Sequence, residues 1–238
     1  MRTVIDLVLL AIIIISIWSG YKKGFIMGIA GLVAIIVSLY AASLVSSAFS
    51  YEVVPAMRPF ASGYVESQMQ ETVLEDMGIA DTELSYEDIL AQDPELRHEF
   101  CATCYKTFGI YDDAADQMAT EAEEYADSQG STIEEAIVEV LCTRVAYIAG
   151  VALLFIIFLI TLMTLANIPN LSFRIPNMDV LNDAGGAAVG LFTGILYCML
   201  LSWILRFGGL AIGLDTFGDT LLAKFFHSID FLTAGLGI

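Results

Sequence analysis

Basic residues are scarce in this 238-residue chain, which has ten Lys and Arg against 28 Asp and Glu and a net charge of −18. Binding to a nucleic-acid backbone requires a basic patch, and the sequence contains none. Charged residues are also few, at 16%, while hydrophobic residues make up 57% and the mean hydropathy is +0.73. These values lie outside the range of soluble globular domains. The expected partner is therefore a lipid bilayer and not a nucleic acid.

The acidic residues are concentrated in one segment. Residues 51–143 contain 22 of the 28 acidic residues but only three basic ones, Arg58, Arg97 and Lys106, which is a net charge of −19. The rest of the chain has six acidic and seven basic residues and a net charge of +1. The sequence thus predicts a hydrophobic protein with an acidic insert. Such an insert repels polyanions and favours cationic partners.

Four stretches are long and apolar enough to form transmembrane helices, each of which needs about 20 residues to cross a hydrocarbon core of about 30 Å. They run approximately over residues 4–19, 24–46, 144–168 and 184–206. None contains proline, and the nearest prolines lie where helices are expected to end: Pro55, Pro59, Pro169 and Pro176. The first stretch is interpreted as a retained helix and not a signal peptide, because only Arg2 precedes it and the lysines follow it.

Taken in order, these segments predict an all-α, polytopic membrane protein with four transmembrane helices in two hairpins. The predicted divisions are 1–48 for the first hairpin, 49–143 for the acidic helical insert, 144–207 for the second hairpin and 208–238 for an amphipathic carboxyl-terminal tail. Ser131 and Glu134 have the spacing of a capping box. The last helix of the insert is therefore expected to start near Ser131 and to continue into the third span.

Glycine recurs every fourth position in the second helix of each hairpin, although each glycine in a soluble helix costs about 1 kcal/mol relative to alanine. The first row is Gly20, Gly24, Gly28 and, one turn further on, Gly31; the second is Gly186, Gly190 and Gly194. Residues four apart share a helix face. In lipid, small residues let two helix backbones approach closely. We therefore predict that the second and fourth spans pack against each other or against neighbouring copies, with a pore lining as the alternative.

The first 45 residues resemble the amino-terminal half of the CvpA (colicin V production protein) family. The resemblance is carried by Asp6 near the start of an apolar helix and by the run GYKKGF at 20–25. The run LNDAGGAAVGLFTGILYCMLL at 181–201 is similar to the second hallmark of that family. Asp183 and Thr193 depart from it, because members commonly carry arginine in those two regions.

The resemblance implies a four-helix protein of the bacterial cytoplasmic (inner) membrane, linked to colicin V production and, more broadly, to envelope function. Some relatives carry a protease domain after the fourth helix that acts outside the cytoplasm. This implies that the carboxyl terminus is extracytoplasmic, and four spans then place the amino terminus and the acidic insert outside as well. Basic residues flank the spans in nearly equal numbers on the two sides, so the positive-inside rule leaves the orientation open.

Asp6 lies about one turn into the first apolar helix. A carboxylate near a helix start complements the positive end of the helix dipole. An ionisable group inside a span can instead mark an ion or proton path. The sequence predicts an interfacial anchor at Asp6 and leaves an ion or proton role open.

Three cysteines, Cys101, Cys104 and Cys142, lie in the insert. If the insert faces an oxidising compartment, a structural disulfide among them is expected; free thiols are the alternative. His98, three residues before Cys101, makes a zinc site conceivable, although four ligands are needed to close one.

The sequence offers no pairing of a nucleophile with a base, no phosphate-binding loop and no metal-ligand cluster, so we predict neither an enzyme nor a cofactor or metal site. We predict an envelope protein that acts by assembly with itself or with other envelope proteins, in support of toxin production or envelope maintenance. The alternative is a small channel or transporter whose glycine-rich helices surround a pore. A pore needs a polar path through the membrane, and the spans offer few polar residues beyond Asp6, Ser38 and Ser202.

Overall fold

The computed structural model describes residues 2–79, 86–167, 179–207 and 220–229, and these residues form helices and turns, without a β-strand. The helices are α1 (Arg2–Lys23), α2 (Phe25–Gln68), α3 (Leu74–Asp76), α4 (Tyr86–Gln92), α5 (Pro94–Thr107), α6 (Asp112–Gln129), α7 (Ile133–Asn167), α8 (Asp179–Leu205) and α9 (Leu221–Ser228), with a π-helical turn at Met69–Val73. The prediction of an all-helical fold is confirmed over these residues.

Four helical segments are long and apolar enough to cross a membrane, as predicted. They are Thr3–Lys23, Phe25–Asp76, Ile133–Ala166 and Asp179–Leu205. Large apolar side chains on them are exposed, among them Ile15 at 65%, Phe192 at 61% and Ile160 at 61%. Such surfaces are stable in lipid, where a helix also satisfies its own backbone hydrogen bonds. The chain is therefore a multi-pass membrane protein.

Helix α2 is longer than the sequence predicted, because it continues to Gln68 through Pro55 and Pro59. Proline removes a backbone donor and crowds the preceding turn, which is why the helix was expected to end before them. An apolar face is buried on both sides of the prolines, because Val54, before them, and Val65, after them, are 2% and 0% exposed. Burial of this face offsets the lost hydrogen bonds, because tertiary packing supplies most helix stability.

The chain divides into two compact units whose boundaries fall inside α2 and α7. Of the described residues, unit 1 contains 2–47, 149–167, 179–204 and 220–229, and unit 2 contains 48–79, 86–148 and 205–207. Unit 1 therefore holds α1, α9, nearly all of α8 and one part each of α2 and α7. Unit 2 holds α3 to α6 and the remaining parts of α2 and α7. The predicted division at residues 48, 143 and 207, which follows hydropathy, stays a prediction.

The core of unit 2 forms where α5 packs on α6. Helix α6 buries small residues at helical spacing, and α5 buries larger ones. The buried residues include Ala115, Ala119, Ala122 and Ala126 of α6, and Phe100, Cys104 and Tyr105 of α5. The Tyr105 hydroxyl donates to the backbone carbonyl of Ile137 at 3.2 Å and so connects α5 to α7.

The cap of α7 lies one residue later than predicted. The Thr132 hydroxyl accepts a hydrogen bond from the Glu135 N–H at 3.2 Å, so Thr132 and not Ser131 caps the helix. Glu134 instead accepts from the Tyr86 hydroxyl at 3.2 Å. From this start α7 runs to Asn167, which confirms that the last helix of the insert continues into the third span.

Candidate functional site

Helices α1 and α8 of unit 1 pack against each other along an antiparallel line of contacts, called here the α1–α8 seam. The contacts recur about every fourth residue along each helix, in opposite chain directions. The pairs are Leu9 with Cys198, Ile13 with Gly194, Ser16 and Ile17 with Gly190, Gly20 with Gly186, and Gly24 with both Gly186 and Asn182. At the first pair, the Cys198 thiol donates to the Leu9 carbonyl at 3.5 Å.

Close backbone approach explains the glycines of the seam. A methyl group on Gly20 would contact the carbonyl oxygen of Gly186 and lie 2.8 Å from the Cα of Gly190. A methyl group on Gly190 would contact the carbonyl oxygen of Ser16. Backbone atoms cannot rotate aside as side-chain ends do. A side chain at these positions must therefore push the two helices apart, which weakens the van der Waals packing on which helix association in lipid depends.

The second glycine row has two partners. We predicted that the second and fourth spans, α2 and α8, pack against each other or against neighbouring copies; α8 does contact α2, at Phe25 and Gly28, but its close backbone contacts are mainly with α1. The reason lies in how the first row is divided. Gly20 belongs to α1, and Gly24 lies in the break between α1 and α2. Periodicity identified residues that allow close approach, but it could not identify the helix that approaches.

The remaining glycines of the first row lie on α2 and contact side chains. A methyl group on Gly28 would lie 3.2 Å from the Cβ of Val189 on α8, and one on Gly31 would lie 3.2 Å from the Cε of Met163 on α7. Both rows thus make packing contacts inside a single chain.

The turn between α1 and α2 is held by Asn182 of α8. Gly24 has a φ of +81°, which favours glycine, and its N–H donates to the Gly20 carbonyl at 2.9 Å. The next N–H, that of Phe25, donates to Asn182 Oδ1 at 3.1 Å. Asn182 is 1% exposed, and its Nδ2 has no hydrogen-bond partner among the described residues. A buried amide from a distant helix thereby satisfies an N–H at the start of α2 that has no acceptor in its own helix.

Asn182 is a residue that the sequence prediction missed. Its spacing could have identified it as part of the packing face, because Asn182 lies four positions before Gly186 and so extends the second row by one turn. A polar side chain at the end of a glycine row can reach a backbone that the glycines allow to come close.

Asp6 caps helix α9. Its Oδ1 accepts the Leu222 N–H at 3.0 Å, and the Leu221 N–H lies 3.4 Å from Oδ2. These are first-turn amides, which have no acceptor within α9, and negative charge is stabilised at a helix amino terminus. The carboxylate that was expected to complement the start of α1 thus contacts the start of α9. The predicted interfacial anchor and the alternative ion or proton role both stay predictions.

Only residues 220–229 of the predicted tail are described. Ala223 and Phe226 are buried, whereas Leu221, Phe225 and Ile229 are 70%, 55% and 45% exposed. The exposed residues recur every fourth position and form an apolar stripe, which suits contact with lipid.

The insert cysteines are buried free thiols, so the structure forms none of the disulfides that the sequence suggested. Burial raises the pKa of Cys101 to about 12 and raises that of Cys104 further. His98 does not join them: its Nδ1 lies 3.0 Å from Glu123 Oε2. Within the described residues, no group of three or more His, Cys, Asp and Glu side chains could hold a metal ion.

The basic residues of unit 2 connect its helices. Most of these contacts involve helix α6, because four of the five Lys and Arg side chains described in this unit pair with its carboxylates. The pairs are Arg97 with Asp127 at 2.8 Å, Lys106 with Asp116 at 3.3 Å and with Asp112 at 3.7 Å, Arg144 with Glu121 at 2.9 Å, Arg206 with Asp113 at 3.1 Å and, between α2 and α7, Arg58 with Glu139 at 2.6 Å. Each of these five cations therefore serves the internal structure of unit 2.

Many carboxylates of unit 2 remain after this pairing. They are exposed and, within the described part of the chain, have no ion-pair partner: Glu52, Glu66, Glu71, Glu75, Asp76, Glu87, Asp88, Glu95, Glu99, Glu124 and Glu135. They lie on α2 to α7 and the π-helical turn, so unit 2 presents an acidic surface that its own cations do not neutralise.

Comparison with known proteins bears on the amino-terminal part of the chain. Residues 5–74 match the family model described as Colicin V production protein. No curated protein and no solved structure matches the chain. The matched span includes Asp6, the GYKKGF turn and all of α2, so it contains one side of the α1–α8 seam. Residues 5–74 are therefore similar to the colicin V production protein family.

Proposed function

We propose that this chain is an integral protein of the bacterial cytoplasmic membrane that acts by assembly, with the acidic helices of unit 2 as its binding surface for cationic envelope proteins. Unit 2 and both termini lie on the extracytoplasmic side. In line with the family description, the assembly supports production or secretion of a colicin V-type toxin, or maintenance of the envelope.

The unbalanced charge of unit 2 is the observation that carries this proposal. Its described cations are all engaged in internal ion pairs, while exposed carboxylates remain on α2 to α7. Exposed charges act over about 10 Å at 0.1 M salt. A surface of this kind attracts basic partners and repels anionic head groups, so it is suited to a role outside the bilayer.

A channel or transporter has less support than assembly. That alternative needs the glycine rows to surround a pore, whereas the α8 row is packed on the backbone of α1 at Ser16 and Gly20. Assembly between copies through this row would likewise require the α1–α8 seam to open. The acidic surface needs no such rearrangement.

Charge-neutral variants test the binding surface. In the full chain, Glu95→Gln, Glu99→Gln and Glu124→Gln together remove three exposed, unpaired charges from α5 and α6. Crosslinking in cells followed by copurification is expected to recover fewer partners than the wild type, with the larger difference at low salt. The control changes Gln70, Gln117 and Gln129, which are polar and mostly exposed, to alanine. An identical partner set for both variants and the wild type would contradict the proposal.

Single cysteines test the orientation. In a chain otherwise free of cysteine, Lys106→Cys is expected to react with a membrane-impermeant thiol reagent in intact cells, because the Lys106 side chain is 41% exposed. Lys22→Cys lies at the end of the first span, which is cytoplasmic if the amino terminus is outside, and it is expected to react only after lysis. The opposite pattern would place unit 2 in the cytoplasm.

A further inference from the structure

A groove of about 180 Å³ lies between α1, α2, α7 and α8 in unit 1, beside the α1–α8 seam. The glycines that let the helices approach, Gly20 and Gly190 among them, also leave this space free of side chains. Four hydroxyl side chains and one amine line it: Ser16, Ser19, Thr193, Tyr197 and Lys23. An acyl chain alone would need only an apolar wall, so this lining indicates an occupant with polar atoms.

The mouth of the groove is marked by Lys23, the last residue of α1. Lys23 is exposed and has no ion-pair partner among the residues that the structure describes. Next to it, the Lys22 amine lies 5.0 Å from the centroid of the Trp18 ring, and Trp18 and Tyr21 are 63% and 50% exposed. Trp and Tyr concentrate at the head-group level of a bilayer. Lys23 is therefore a cation without an ion-pair partner, next to residues of the kind that favour the head-group level.

The groove combines three kinds of chemistry. Ser19 and Ser16 lie about one and two turns from Lys23, so the hydroxyl-lined part extends about 10 Å along α1. The apolar wall includes Met27 and Met163, whose flexible side chains adapt to irregular occupants. The groove thus has a cation at the α1–α2 turn, and hydroxyl groups and apolar side chains are interspersed along its length.

We propose that this groove binds an anionic phospholipid of the surrounding bilayer. The lipid phosphate pairs with the Lys23 amine, and its glycerol and ester oxygens accept hydrogen bonds from hydroxyl groups such as those of Ser19 and Thr193. One acyl chain continues along the methionine side. Such a lipid carries a phosphate, hydrogen-bond acceptors and acyl chains, which suit the cation, the hydroxyl groups and the apolar wall of the groove, and its negative charge complements Lys23.

Lipid retention by the full chain tests this site. The purified protein in detergent is titrated with phosphatidylglycerol or phosphatidylcholine of the same acyl chains, and retained lipid is counted by native mass spectrometry. The groove variants are Lys23→Gln and Thr193→Val. The controls are Lys22→Gln, the neighbouring lysine outside the groove lining, and Thr164→Val, an exposed α7 residue whose hydroxyl already donates to the Ile160 carbonyl at 2.7 Å.

The wild type is expected to prefer phosphatidylglycerol. One lysine near an anionic surface accounts for about a fivefold preference, so Lys22→Gln is expected to lower it by up to about that factor. Lys23→Gln is expected to lower it further, and Thr193→Val to lower it without any change of charge. Thr164→Val is expected to leave it unchanged.

Equal losses for the two lysine variants, with no effect of Thr193→Val, would show surface electrostatics only and would overturn the proposal. Displacement of phosphatidylglycerol by millimolar glycerol 3-phosphate would also overturn it, because the site would then take a soluble phosphate ester. If Lys23→Gln does not fold, Lys23→Arg and Thr193→Val decide the matter: retained preference in the first and reduced preference in the second support the groove.

Discussion

The backbone N–H of Phe25 donates a 3.1 Å hydrogen bond to the side-chain Oδ1 of Asn182, 157 positions further along the chain. This bond joins the first residue of α2 to the start of α8, next to the positive-φ turn at Gly24. It therefore connects the two hairpins at one end of the α1–α8 seam. Because α1 and α2 are separated there by a single non-helical residue, the angle between them depends on what holds this turn.

Replacing Asn182 by leucine is expected to destabilise unit 1 by about 1–3 kcal/mol, because the Phe25 N–H loses its acceptor in a buried site. Leucine keeps the branched shape of the side chain but cannot accept a hydrogen bond. Hydrogen exchange at the Phe25 amide and thermal unfolding in detergent measure the effect. Asp183→Leu, the neighbouring polar-to-leucine change, serves as the control. Unchanged exchange at Phe25 in Asn182→Leu would show that the hydrogen bond does not hold the turn.

The effect of a glycine-to-alanine change on the free energy of unfolding is expected to depend on which atoms the new methyl group contacts. Gly190→Ala would contact the backbone of Ser16 and is expected to cost about 1–3 kcal/mol. The methyl group of Gly28→Ala would lie 3.2 Å from the Cβ and Cγ1 of Val189, a milder overlap than the backbone contact at Gly190, so its cost is expected to be smaller. At Gly63, also helical, nothing lies within 4 Å, and alanine there is expected to stabilise by up to about 1 kcal/mol.

Unfolding free energies of the three variants in the same detergent provide the comparison. Equal effects at Gly190 and Gly63 would mean that backbone approach along the α1–α8 seam does not contribute to stability.

The four spans were predictable from sequence because hydropathy alone determines whether a helix is stable in lipid. The end of α2 was not, because Pro55 and Pro59 are local signals for a helix end and the burial of Val54 and Val65 is a tertiary effect. Similarly, period-four spacing marked Gly186 and Gly190 as packing residues, but the choice of α1 as partner depends on the break at Gly24.

The candidate site was predictable to a similar degree. Asp6 stood out because a carboxylate in an apolar helix is costly, yet its partner, α9, lies more than 200 residues away and no local pattern points to it. The acidic excess of the insert was visible as composition. The role of α6 as the helix with which Arg97 and Arg144 pair requires the fold, because no fixed spacing relates residues on different helices.

The thiol of Cys101 is expected to be unreactive in the folded chain. With a pKa of about 12, roughly one thiol in 10,000 is ionised at pH 8, and the thiolate is the reactive form. Labelling with a maleimide at pH 8 is expected to be slow until the chain is unfolded, whereas Lys106→Cys, on the same helix but exposed, is expected to react quickly. Comparable rates at the two positions would contradict the burial of α5.

The raised pKa of Cys101 also predicts how the stability of unit 2 depends on pH. The folded-state pKa lies above the value of about 9 expected when the chain is unfolded, so the folded state retains the proton longer. The contribution of this thiol is complete below pH 9 and is lost as the pH rises from about 9 to 12. Cys101→Ala is expected to reduce the loss of stability over this range.

Asp6 is expected to hold α9 in place through its two backbone contacts. In Asp6→Leu the Leu221 and Leu222 amides lose their acceptor, and removal of such a cap costs about 0.5–2 kcal/mol, which corresponds to roughly 2- to 30-fold faster hydrogen exchange at these amides. Asp6→Asn keeps one acceptor oxygen and is expected to fall between the wild type and Asp6→Leu. Asp179→Asn, which neutralises an exposed acid elsewhere in unit 1, is the control and is expected to leave α9 unchanged. If exchange at Leu222 were the same in all four proteins, the contact of Asp6 with α9 would be incidental, and the ion or proton role would become the favoured explanation for a carboxylate in α1.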